Sequence, residues 1–252
     1  MFKALPSTGA ALVASALKAH NSSQAWNIRY KPVCASTEIL LSQWLEDKPL
    51  INDYARVVLA ARQRFGKGQY ERKWSSPKGG IWLSAALPFS FPVRSSGLFG
   101  LAVAVAVAKM LQDSLVPVSL KWPNDLMVYE KKLAGFLPRV ISRGDVLKYA
   151  RVGIGLNVRN RVSSKAISLA QVFSQKNISV AEWTSKILIS LENTLSLLND
   201  NQSLCREAEK LLYLRHFYDN KTGKTWEIEG LNNDGSLSLK NGRVNKSLYR
   251  WD

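Results

Sequence analysis

The chain has 252 residues, enough for one sizeable domain with an appendage or for two domains. A hydrophobic fraction of 46% is that of a globular protein and excludes a disordered one. Its 35 Lys and Arg against 19 Asp and Glu leave a formal charge of +16. That excess attracts nucleic acid, nucleotide phosphates or an acidic protein without choosing among them.

Cysteine and histidine usage narrows the chemistry further. Cys34 and Cys205 stand far apart without metal-ligand spacing, so neither a disulfide framework nor a Cys-based zinc site is expected, and a reducing cytoplasm fits. His20 and His216 stand alone and read as surface or cap residues rather than catalysts. The most apolar stretch, Leu98 to Val107, is followed by Lys109 and Gln112. A bilayer span needs about 20 apolar residues, so this is a buried helix and no membrane partner is expected. The start, Met1-Phe2-Lys3, with a short apolar pattern over 10–19, lacks a small-residue cleavage site, so no signal peptide is expected.

In chain order, residues 9–20 predict a first helix, and Ile28-Arg29-Tyr30 a strand ending at Pro32. Ser36 or Thr37 caps a helix to about Asp47, whose apolar face is Ile39, Leu40, Leu41, Trp44 and Leu45. Val57 to Ala60 is a short buried strand, after which residues 62–80 form a basic, Gly-containing loop. Ile81 to Leu87 returns to strand, with Pro88 and Pro92 at its exit. Ser95 or Ser96 then caps a long helix to about Asp113, apolar nearly all round and therefore central. Val116 to Leu120 is a strand that feeds the polar segment Lys121-Trp122-Pro123-Asn124-Asp125-Leu126.

Strands over 126–128 and 133–141 follow, joined by the charged turn Glu130-Lys131-Lys132. Past the turn Arg143-Gly144-Asp145, another strand runs through Tyr149 and Val152 into Gly153-Ile154-Gly155-Leu156-Asn157. Short turns between successive strands imply an antiparallel meander. Residues 179–199 and 203–217 predict two amphipathic helices, and Asp219 to Gly223 a turn. The tail, 224–252, carries strands at 225–228 and 236–239, with turns at Asn233-Asp234-Gly235 and Asn241-Gly242. About 30 residues of hairpin cannot bury a core alone, so they pack on the main domain as a small barrel-like cap.

Three groups of residues could carry chemistry. Gly66-Lys67-Gly68, with Arg72 and Lys73, can turn tightly and cradle phosphate. It is not a Walker loop, and a solvated basic hairpin is the plainer alternative. Lys121, Asn124 and Asp125, joined by Lys132 from the next strand, could hold a phosphate and a metal ion, or form a surface turn of unrelated charges. The lone Gly153-Ile154-Gly155 lacks Rossmann spacing.

Taken in order, these groups resemble the biotin–protein ligases. The resemblance rests on Ser36-Thr37, Gln63, the Gly66-Lys67-Gly68 loop with Arg72 and Trp74, Lys121 to Leu126, Lys132-Leu133-Ala134-Gly135 and Gly153 to Asn157. It covers about 26–160 and extends to the C-terminal β cap. It implies an α+β fold: a mixed, mainly antiparallel sheet with packed helices, plus a small SH3-like β domain. The implied division is a catalytic domain over 1–219 and a small domain over 220–252. The implied activity is an ATP-dependent ligase that converts biotin to biotinyl-5′-AMP and transfers it to a lysine of the biotin carboxyl carrier protein of acetyl-CoA carboxylase.

By position, the resemblance makes Lys121 the main electrostatic catalyst, assisted by Lys67 and Lys132. It assigns biotin to Ser36, Thr37, Glu38, Gln63, Lys67, Gly68, Gln69, Lys132, Gly135 and Gly153. ATP goes to Arg72, Lys121, Trp122, Asn124 and Asn157, with Mg²⁺ bridging phosphates near Asp125. Fewer than 40 residues precede Ser36, so no DNA-binding domain and no sequence-specific DNA binding is expected, in a monomer or homodimer.

The sequence departs from the family loop Gly-Arg-Gly-Arg-x-Gly-Arg-x-Trp at Lys67, Gln69 and Glu71, and from Asn at Glu38. Retention of the adenylate under this loop is therefore the property most exposed to change. The neighbouring alternatives are a lipoate or octanoate ligase and a homologue that binds biotin without ligating it. From another class, a nucleic-acid-binding protein would show binding that falls steeply with salt.

Overall fold

A computed structural model describes residues 9–23, 25–50, 54–88, 98–143 and 146–249. The elements run α1 (Gly9–Ala19), β1 (Trp26–Lys31), α2 (Thr37–Asp47), β2 (Ala55–Ala60), β3 (Ile81–Pro88), α3 (Phe99–Asp113), β4 (Ser119–Lys121), β5 (Asp125–Val128), β6 (Lys131–Arg143), β7 (Val146–Leu156) and α4 (Leu169–Val172). Then come α5 (Val180–Leu197), α6 (Asn201–Leu211), β8 (His216–Asp219), β9 (Lys224–Leu231), β10 (Leu237–Asn241) and β11 (Val244–Leu248).

The first seven strands form one mixed sheet in the order β1-β2-β3-β7-β6-β5-β4. Only β1 and β2 run parallel, with α2 as their crossover; the other pairs are antiparallel, including the expected meander β4 to β7. Strand alternation separates two faces. Val57, Leu59 and Ala85 point to the core under α1, α3 and α5, whereas Val58 and Ala86 pack on Leu41, Trp44 and Leu45 of α2. The central helix α3 is buried along nearly its whole length between the sheet, α5 and α6, which is why its Ala/Val repeat carries no polar stripe.

Three expectations are modified. The expected caps Ser95 and Ser96, like Pro92 and the turn residues Gly144 and Asp145, lie outside the described residues. Helix α3 begins at Phe99, and its N-cap Leu98 makes no side-chain capping bond. The predicted strand 116–120 is confined to Ser119–Lys121, because Pro117 has no N–H to give a ladder. The helix predicted over 203–217 stops at Leu211. Beyond it the Tyr213 N–H is recruited by Leu120 O at 2.8 Å, which draws the chain alongside β4 and into strand β8.

The last four strands make a second, antiparallel sheet in the order β11-β10-β9-β8. It is fastened to the first unit by polar bonds at named points. Trp122 Nε1 donates to Gly235 O at 2.9 Å, Glu209 Oε1 accepts from the Leu231 N–H at 2.6 Å, and Cys205 Sγ lies 3.1 Å from Asn232 O. Gly235 has φ +83, and a Cβ there would lie 2.6 Å from Leu98 Cδ2, so the Asn233-Asp234-Gly235 turn sits directly on the start of α3. Among the described residues, no helix is long and apolar enough to cross a membrane.

Candidate functional site

A cleft of about 560 Å³ opens on the α2 face of the large sheet. Its floor follows from period-two alternation. On β7, Arg151, Gly153 and Gly155 share one face, and Gly153 and Gly155 pair with Leu137 and Gly135 of β6. The lone Gly-x-Gly therefore leaves the backbone of one strand bare on the cleft side, opposite a third glycine.

At one end of the cleft, Ser36 caps α2, its Oγ accepting from the Glu38 N–H at 3.2 Å. The Gln63 amide is fixed beside it. Its Oε1 accepts from Thr37 N–H at 2.8 Å and from Thr37 Oγ1 at 3.0 Å, while its Nε2 donates to Ser76 Oγ at 2.8 Å. Thr37 Oγ1 and Ser84 Oγ share a further bond of 2.8 Å. Glu38 pairs with Arg151 at 2.8 Å, both side chains largely buried.

The basic loop closes over the floor as a tight hairpin. Gly68 N–H donates to Arg72 O at 2.8 Å and Trp74 N–H to Gly66 O at 2.8 Å, with a 3₁₀ turn over Gln69–Glu71 between them. Tyr70 and Glu71 take left-handed backbone, at φ +54 and +58, where glycine is the easier occupant. The Lys67 ammonium pairs with Glu71, and this hydrogen bond holds the Glu71 carboxyl below its ordinary pKa. Arg72 lies 5.6 Å from the Tyr70 ring centroid.

The segment 121–136 forms the opposite wall. Lys121 ends β4 and pairs in register with Asp125 of β5. Asn124 braces the strand that follows, its Nδ2 donating to Phe136 O at 2.7 Å. Lys132 binds Asp125 Oδ2 at 2.6 Å and stands 4.7 Å from the Trp74 ring centroid. Trp122 lines the cleft but is 4% exposed, with its indole N–H committed to Gly235.

The cleft is lined by every expected site residue but one. Asn157 is buried behind it, its amide donating to Lys132 O at 3.3 Å and accepting from Asn160 at 2.9 Å, so it braces the ends of β6 and β7. Leu214, His216, Tyr218 and Asn220 add a wall from the second sheet that sequence reasoning missed. The alternation over His216–Asp219 is only four residues long and was absorbed into a predicted helix.

Lysines 67, 121 and 132 and Arg72 make this an anion site, with an amide-and-hydroxyl end at Ser36, Thr37 and Gln63. Among the described residues, no group of three or more His, Cys, Asp or Glu is gathered for a metal, and Asp125 is already held by Lys132.

Comparison with known proteins adds three findings. Residues 36–157 match the Biotin/lipoate A/B protein ligase family. The chain is 30% identical over 129 residues to the bifunctional ligase/repressor BirA of Bacillus subtilis, covering 48% of this chain and 40% of that one. It is 35% identical over 108 residues to a biotin–[acetyl-CoA-carboxylase] ligase of Mycobacterium tuberculosis, covering 40% of this chain and 39% of that one. The match thus spans about 40% of the length of these relatives. Among solved structures, the biotin protein ligase of Aquifex aeolicus in complex with biotin and ATP superposes with a TM-score of 0.68 at 25% identity, over 89% of this chain and 96% of that one. The matched segment runs from Ser36 to Asn157, taking in the Gln63 network, the lid and the lysine wall, and the likeness of fold extends well beyond it. Over residues 36–157, just under half of its length, this chain is therefore similar to the biotin/lipoate A/B protein ligase family.

Proposed function

We propose that this protein is an ATP-dependent biotin–protein ligase. The observation that carries the reading is the cleft itself, where an amide-and-hydroxyl end at Thr37 and Gln63 and a lysine end at Lys121 and Lys132 share one glycine floor. A urea-headed acid fits that polarity end to end, with its carboxylate toward the lysines.

In the first step a carboxylate oxygen of biotin attacks the α-phosphorus of ATP, and the bond to the bridging oxygen of pyrophosphate breaks. Both reactants are anions, so catalysis is mainly charge stabilisation and positioning. Lys121 makes no ion pair among the described residues, which leaves its ammonium available for the developing charge. Lys132 is held by Asp125 and Trp74 and serves as a fixed cation beside the junction. A magnesium ion would supply further charge neutralisation of the phosphates, and Asp125, here paired with Lys132, is a carboxylate of the cleft that would hold it.

In the second step the neutral amine of an acceptor lysine attacks the mixed anhydride, forming an amide and releasing AMP. The acceptor is the biotin carboxyl carrier protein of acetyl-CoA carboxylase, and the reaction runs in the cytoplasm. Loop 66–74 excludes water until that lysine arrives.

The test is to incubate the whole chain with biotin, Mg-ATP and the carrier domain and to measure covalent biotin on the carrier. Transfer of lipoate in place of biotin overturns the reading, and so does failure to release pyrophosphate with biotin.

A further inference from the structure

A second cavity, of about 680 Å³, lies apart from the ligand cleft, and among the described residues none lines both. It opens at the end of the large sheet where β2 stops and β3 starts, between the first turns of α1 and α5. Its body is apolar, formed by Val13, Leu59, Ile81, Ile178 and Val180. Two aromatic walls are each seated on a glycine. A Cβ on Gly9 would lie 2.6 Å from Tyr30 Cε2, and one on Gly80 would lie 2.2 Å from Trp82 Cζ2. The Trp82 indole N–H is committed to Pro77 O at 2.8 Å, which fixes that ring. The charged side of the cavity carries one sign. Arg159 N–H donates to Gly79 O at 2.8 Å, which sets Arg159 beside Lys78 on adjoining loops, and both residues are exposed. Neither makes an ion pair among the described residues. Among those residues no Asp or Glu lines the cavity, and Glu182, in the first turn of α5, faces Lys186 at 4.0 Å instead. The start of α5, capped by Ser179, adds the positive end of an 18-residue helix. An apolar body with a few charged groups on one side is the build of a small-molecule site.

We propose that this cavity is a second ligand site, for a free carboxylic acid with an apolar chain. Its carboxylate sits between Lys78 and Arg159, and its chain lies on Leu59, Ile81 and Val180. The site goes beyond the ligase reading and does not rest on it. The two cations select an acid over the matching alcohol, because a carboxylate accepts charge-assisted hydrogen bonds from both. The apolar walls select a long chain over a bare anion, since each buried methylene contributes and a short acid has none to bury.

Calorimetric titration of the whole chain with decanoate, decanol and acetate reads the selection. Decanoate is expected to bind, decanol about fivefold or more weakly than decanoate, and acetate not measurably. Lys78→Ala with Arg159→Ala removes two exposed side chains on which the core does not depend. That paired variant is expected to bind decanoate about fivefold or more weakly, on the scale of two ion contacts open to solvent, and decanol as before. Lys121→Ala, in the other cleft, is expected to leave decanoate affinity unchanged, which separates the two cavities. The segment 1–8 precedes Gly9 at the cavity wall, so the test keeps it in place. A cavity filled by the chain itself would then show no decanoate binding, and that result overturns the proposal. Equal affinity for decanoate and decanol overturns it too, as does a loss that appears in Lys121→Ala and not in the paired variant. Neither result bears on the ligase reading.

Discussion

Trp74 and Gly155 share one volume: a Cβ on Gly155 would lie 2.4 Å from Trp74 Cε2 and 2.5 Å from its Nε1. The same indole covers Gly135, whose Cβ would lie 2.9 Å from Cζ3. The last residue of the lid is thus seated on two bare strands, and it meets Lys132 from above. Gly155→Ala is expected to expel the indole and open the loop. Adenylate should then escape, with covalent transfer reduced by about tenfold or more per turnover, on the scale of a misplaced active-site element. Tryptophan fluorescence should shift to the red. An unchanged emission spectrum with full activity would remove Trp74 as the anchor of the lid.

Lys121 and Lys132 are both cations of the cleft, but their surroundings assign them different work. Lys132 is spoken for by Asp125 and Trp74, whereas Lys121 has no ion pair among the described residues. Lys121→Ala is expected to cut pyrophosphate release by about 10²- to 10³-fold, as for loss of one electrostatic contact to the transition state. Biotin affinity should change little, because the amide end of the cleft is untouched. Near-normal pyrophosphate release would overturn the assignment.

Much of this site was legible because its residues are chemically unusual for their elements. Lys121 to Asp125 interrupts a strand pattern with groups that a core would not hold, and Gly153 and Gly155 fall on the same face only if 146–156 is a strand. The parallel pairing of β1 with β2 was not legible, since a crossover helix of 11 residues looks the same in sequence whichever side the next strand joins. The cleft wall from β8 was hidden for a related reason. Leu211, Leu212 and Leu214 continue a helical spacing, and only the long-range bond from Tyr213 to Leu120 ends the helix. Asn157 shows the converse limit. Its place in a shared motif marked it as ligand-binding, yet its amide is committed to Lys132 O and Asn160.

The lid carries a contact of its own making. Glu71 holds Lys67 and occupies left-handed backbone at φ +58. Glu71→Gly should relieve that backbone and release Lys67 toward the ligand anions. The expected result is slower loss of the adenylate, measured as its half-life on the enzyme after free biotin and ATP are removed. A half-life no longer than that of the wild type would show that the pair does not compete with the ligand.

The second sheet supplies a pH signature separable from catalysis. Lys246 binds Asp219 at 2.9 Å, and this hydrogen bond lowers the Asp219 carboxyl from 3.8 to about 2. A folded-state pKa below the unfolded value means that the pair stabilises the fold above about pH 4, and that its contribution is lost as pH falls toward 2. The Lys246 ammonium also lies 4.2 Å from the Trp226 ring centroid, inside the sheet that places His216 and Tyr218 on the cleft. Lys246→Met should return Asp219 toward its ordinary titration and weaken the strand β8 side of the cleft above about pH 4, with the difference from wild type vanishing toward pH 2. Carboxyl-carbon NMR titration of wild type and variant checks this directly. An Asp219 that titrates near 4 in both would mean that Lys246 is a solvated surface charge and leaves the β8 wall untouched.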